Sequence, residues 1–144
     1  MRGHDLVVPY GTEVMMREGL EATVSHTVTD ADLATAIGSG EVPVLATPVV
    51  LALCEKATIS VIADHLDAGQ TTVGMRVSID HLKPTLEGCD ITASATLERI
   101  DGRRLTFGVS LVDHCTDEVA LGRIVRVIVD SDRFMERARE AIES

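Results

Sequence analysis

The sequence predicts an α+β domain in which a curved antiparallel sheet wraps a long central helix. Three observations predict it. Residues 47–66 form a helix-length run whose apolar positions, at about 100° per residue, cover nearly every face. Four strand-length segments follow, each set off by turn-forming residues. The chain has 144 residues, 45% of them hydrophobic, enough for one sizeable core in one domain. A helix that is apolar all round needs an enclosing layer, and consecutive strands supply one as an antiparallel sheet.

In chain order, residues 1–15 read as an N-terminal extension and residues 16–144 as the single domain. Residues 20–28 alternate, with Leu20, Ala22, Val24, His26 and Val28 on one face, the period of a half-buried strand. Thr29 and Asp30 can cap a short helix over 31–37, which the Gly38-Ser39-Gly40 loop ends. Thr47 is a plausible N-cap of the long helix, with Pro48 at its first position, where a missing N–H costs nothing. Strands are expected over 71–82, 90–100, 104–114 and 118–129, with Asp101-Gly102 as the strongest hairpin signal. A polar helix over 131–144 closes the chain, and no repeat or linker interrupts it. This order of elements is the pattern of the hot-dog fold.

Composition narrows the function. Thirteen Lys and Arg against 23 Asp and Glu leave a net charge of −10, which repels nucleic-acid phosphates. One Tyr, two Phe and no Trp are too few for the multi-aromatic platform of a single-strand nucleic-acid reader. Cys54, Cys89 and Cys115 make neither an even disulfide set nor a metal knuckle. Free thiols suit a reducing compartment. No apolar stretch is long enough to span a bilayer, and the N-terminus lacks the pattern of a signal peptide. A cytoplasmic protein with no membrane or nucleic-acid partner is expected.

Two residues break the apolar pattern. Glu55 interrupts the central helix, where a carboxylate is costly unless paired. It is either a member of an exposed stripe with Lys56 or a carboxylate poised at a pocket. His81 ends a strand in which Met75, Val77, Ile79 and His81 share one face, opposite Gly74. That apolar face is expected to meet the helix, so His81 points inward, as a structural residue or as a catalyst. Gly74 marks a bulge or a close approach. Thr47 is explained by capping, although a helix start also offers N–H groups to an anionic oxygen. Cys54 reads as a small core residue rather than a nucleophile, and Asp30 and Asp32 as helix-start charges. His26, His65 and His114 have no zinc spacing, and Gly38-Ser39-Gly40 lacks the rest of any phosphate-binding motif.

Together these residues resemble the fluoroacetyl-CoA thioesterase-like family of hot-dog proteins. The resemblance rests on Ala46-Thr47, Glu55, Gly74 with His81, Asp101-Gly102-Arg103-Arg104-Leu105, and Arg126 followed by Phe134, and covers residues 20–138. It implies hydrolysis of a small acyl-CoA thioester to the free acid and coenzyme A, with Thr47, Glu55 and His81 as the catalytic set. It also implies Gly74 and Arg126 as pocket residues, no metal or cofactor beyond the coenzyme A of the substrate, and a homodimer with shared sites. Two departures stand out: residues 29–44 hold no aromatic where the fluoroacetyl enzyme carries a lid Phe, and Pro48 replaces a Gly. Eight helical residues separate Thr47 from Glu55 by about 12 Å, so His81 and substrate bridge them or a second subunit completes the site. A non-catalytic acyl-CoA or acyl-carrier binding module on the same fold, and a hot-dog dehydratase using His with a carboxylate, are the alternative readings.

Overall fold

Strand β1 (Glu21–Thr27) alternates as its sequence dictates, with Ala22, Val24 and His26 turned toward the core and their neighbours exposed. The structure, a computed structural model, describes residues 16–143; the expected 1–15 extension and Ser144 lie outside the described residues. The helix expected over 31–37 is split into a 3-10 turn, Asp30–Asp32, and the single-turn α1 (Ala34–Ile37). Asp32 closes the turn as a helix-start charge should. Its Oδ2 accepts from Thr29 N at 2.8 Å and Thr29 Oγ1 at 3.0 Å, and lies 2.8 Å from His26 Nε2.

Helix α2 spans Thr47–Ile62, four residues short of the expected end. Val50, Leu53, Cys54, Ala57, Thr58, Val61 and Ile62 are buried, whereas Ala52, Lys56, Ile59 and Ser60 are exposed. The expectation of a fully enclosed helix is therefore corrected. α2 lies across one face of the sheet, because the strands of a single chain cover only one of its sides.

The sheet comprises β1, β2 (Gln70–His81), β3 (Asp90–Asp101), β4 (Arg104–Asp113) and β5 (Glu118–Asp130) in the order β1-β3-β4-β5-β2. Every neighbouring pair is antiparallel. Strand bounds fall within a residue of the expected ones. Inward positions such as Leu97, Phe107, Leu111 and Ile124 meet α2 to form one core, which Met16 also joins. The terminal helix α3 (Ser131–Glu143) is amphipathic, yet buries no residue.

Register across β2 and β5 decides which side chains reach α2. Thr72 and Gly74 pair with Ile128 and Arg126; beyond a bulge at Met75, Val77, Ile79 and His81 pair with Ile124, Gly122 and Ala120. Paired residues share a face, so Gly74 and His81 lie on the same side. The sequence placed them on opposite faces; the extra residue in the bulge reverses the alternation. A second expectation fails here too. Met75 and Val77 are 46% and 40% exposed, not covered by the helix, because among the described residues β2 is an edge strand paired only with β5.

Candidate active site

Thr47 is the first residue of α2, and Ala46 is the N-cap: its carbonyl accepts from Val49 N at 3.0 Å and Val50 N at 3.1 Å. The Thr47 hydroxyl is thus not used as a cap, contrary to the sequence reading. It lies 2.7 Å from His81 Nδ1 instead. His81 is half-buried, and its Nε2 is enclosed without a hydrogen-bond partner among the described residues. Burial pushes the imidazole below the usual histidine pKa, and the Lys83 backbone opposes this without cancelling it. The neutral ring can therefore exchange a proton with the Thr47 hydroxyl.

Two backbone and two side-chain contacts hold this end of β2. Leu82 N donates to Val119 O at 2.7 Å and Lys83 N to the same oxygen at 3.3 Å. Lys83 Nζ donates to Asp113 at 2.9 Å and Asp117 at 2.6 Å. These carboxylates hold the lysine above its ordinary pKa. Thr47 and His81 face a groove of about 310 Å³, walled by Val42, Leu45, Lys83 and Pro84.

Glu55 sits elsewhere. Its Oε2 accepts from Arg126 Nη1 at 3.2 Å, and Arg126 also donates Nε to Thr72 Oγ1 at 2.8 Å and Nη2 to Thr72 O at 3.0 Å. The Arg126 side chain is only 7% exposed, that of Glu55 34%. Burial lowers the guanidinium pKa and the Glu55 carboxylate opposes the shift; an arginine stays charged regardless. A buried cation of this kind needs a counter-charge, which accounts for a carboxylate in the middle of an apolar helix. Gly74 makes room for it: a Cβ there would stand 3.0 Å from Glu55 Oε2.

The structure thus joins Thr47 with His81, and Glu55 with Gly74 and Arg126, as two clusters at opposite ends of the β2 segment Gly74 to His81. Within one chain they stay apart, by about 12 Å along the helix alone. Thr72 and Lys83 escaped the sequence reading. Thr72 lies two residues from Gly74 on β2, and that spacing along a strand was the available signal; Lys83 lies past the end of β2, where no such spacing applies. Burial pushes the Cys54 thiol up to about 11, so it is an inert core residue. Among the described residues no group of three His, Cys, Asp or Glu is placed to hold a metal ion, and no helix is long and apolar enough to cross a membrane.

The family model described as fluoroacetyl-CoA-specific thioesterase matches residues 28–132, a stretch that contains Thr47, Glu55, Gly74, His81 and Arg126. The chain belongs to this family. The fluoroacetyl-CoA thioesterase of Streptantibioticus cattleyicolor is 30% identical over 97 residues, 67% of this chain and 69% of that enzyme. A solved structure of the fluoroacetyl-CoA thioesterase FlK superposes with a TM-score of 0.81 at 26% identity, covering 87% of this chain and 96% of the other. A thioesterase superfamily member from Thermus thermophilus superposes with a TM-score of 0.82 at 28% identity, over 88% and 93% of the two chains. As a member of the fluoroacetyl-CoA-specific thioesterase family, the chain has the hot-dog fold and is by class an acyl-CoA thioesterase.

Proposed function

We propose that the protein hydrolyses a small acyl-CoA thioester to the free acid and coenzyme A, using Thr47, Glu55 and His81 and no metal, as a homodimer. The observation that carries this reading is the 2.7 Å bond between Thr47 Oγ1 and His81 Nδ1 on an open groove. Thr47 Oγ attacks the thioester carbonyl while Nδ1 takes its proton. The positive end of α2 stabilises the oxyanion. Collapse breaks the C–S bond, and His81 returns the proton to the departing thiolate. Water then cleaves the acyl-threonine by the same proton path, releasing the acid.

Glu55 is the orienting carboxylate, supplied across a dimer. Among the described residues β2 is an open edge with half-exposed Met75 and Val77, and Ile59 on α2 is also exposed. Two β2 strands paired antiparallel would set the Gly74 end of one against the His81 end of the other, covering both edges. That arrangement unites the two clusters of the candidate site. The test is thiol release measured across short, aryl and long acyl-CoA substrates. Release from the short ones supports the reading; release from none leaves the acyl-CoA binding module in its place.

A further inference from the structure

Two features of the sequence find no role in the chemistry at Thr47: the Asp101-Gly102-Arg103-Arg104 turn and Phe134. The fold brings them together. Ile128 N donates to Arg103 O at 2.8 Å, and Arg103 Nη1 donates to Ile128 O at 3.3 Å. α3 begins where β5 ends, so Arg133, Phe134 and Arg137 of its first turns stand beside that pair. Together they line a cleft of about 380 Å³.

The charge of this cleft is anomalous. Arg103, Arg133 and Arg137 are all exposed, and none makes an ion pair among the described residues. Asp130 is the one acid in the lining, and it accepts from the Arg133 backbone N at 3.4 Å. Three guanidiniums against the single carboxylate of Asp130 give the cleft a net positive charge in a chain of net charge −10, although Asp132, Glu136 and Glu140 lie on the adjoining side of α3. Planar guanidinium forks suit phosphate oxygens, and Phe134, the aromatic of the cleft, offers a half-exposed face for a base.

We propose that this cleft holds the nucleotide end of coenzyme A, with the arginines on its phosphates and Phe134 against its adenine. The inference rests on the acyl-CoA reading above and says where the remote part of that substrate binds. Its position fits. Ile128 lies two residues beyond Arg126 on the same face of β5, and Asp130 pairs with Gln70, four residues from Gly74. Those four residues span about 13 Å of strand, a distance the extended pantetheine arm covers.

The test is calorimetric titration of the full chain with free coenzyme A and with 3′-phosphoadenosine 5′-phosphate. The Arg103→Gln/Arg137→Gln double variant and Phe134→Ala are compared with wild type; all three positions are exposed, so folding is spared. The double variant should bind both ligands at least about tenfold more weakly, as loss of charge-assisted phosphate contacts requires. In kinetics, the ratio of kcat/KM for acyl-CoA to that for the matching acyl-pantetheine should fall by a similar factor. Wild type that binds no coenzyme A, a double variant that binds it as tightly as wild type, or an unchanged kinetic ratio overturns the proposal. If no thioester is hydrolysed but coenzyme A binding is still lost in the variants, the cleft assignment stands and hydrolysis is what fails.

Discussion

Thr47, His81 and Glu55 each make one contact that separates a catalytic role from a structural one. The Thr47 hydroxyl bonds His81 and caps nothing, so its removal leaves α2 intact. Thr47→Ala should abolish any acyl-enzyme trapped in mass spectrometry, and Thr47→Ser should retain it. Glu55→Gln keeps shape and hydrogen bonding but removes the charge facing Arg126. As the orienting carboxylate its loss should lower kcat by about 10²–10⁴-fold. Arg126 keeps its Thr72 bonds, so the stability cost should be about 1–3 kcal/mol in urea titration. Turnover at the wild-type rate would remove Glu55 from the mechanism. The pH profile tests His81. Its folded pKa is lowered by burial, so the neutral, proton-accepting form persists below the usual histidine value. The acid limb of kcat/KM should therefore fall below pH 6.5, and a limb above it would contradict the assignment. The stability linkage has the same sign: the unfolded state takes up the proton first, so stability falls as pH drops from the unfolded histidine pKa through the folded one.

Strand β2 carries both clusters, and two glycines set how it sits. At Gly122 on β5 an added Cβ would collide with the Ser78 carbonyl of β2, which is backbone and cannot swing away. At Gly74 the nearest atom is the end of the Glu55 side chain, at 3.0 Å, which can yield. Gly122→Ala should thus cost about 1–3 kcal/mol by overpacking, read from a lower urea midpoint with an unchanged m-value. Gly74→Ala should cost less stability while displacing Glu55 and lowering kcat. The reverse order of the two stability losses would mean that β2 and β5 part easily and Glu55 does not.

At the scale of the molecule, the proposed antiparallel pairing of two β2 strands gives each site its Thr47 and His81 from one copy and its Glu55 from the other. A mixture of Thr47→Ala and Glu55→Gln chains, each nearly inactive alone, should then recover activity after exchange, because every mixed dimer contains one site with neither substitution. Sites confined to one chain would recover none. Light scattering should give a dimer; a stable monomer with intact activity would exclude the shared site.

The sequence by itself determined the elements and their order. Alternation in residues 20–28 and in the later strands, Asp101-Gly102 and the apolar run after Pro48 are local signals, written in neighbours a few residues apart. It also marked Glu55, Gly74 and His81 as exceptional, whereas capping explained Thr47 and only the family resemblance pointed to Arg126. Only the tertiary structure decided which of them meet. The Thr47 hydroxyl faced a choice between its own helix end and a ring 34 residues away, and the crossing of α2 with β2 gave it to His81. The bulge at Met75 turned Gly74 to the side of Glu55, against the period-2 rule. Glu55 was an anomaly until Arg126, 71 residues on, supplied its counter-charge. Contacts at such separations depend on register and crossing geometry, which propensity does not encode.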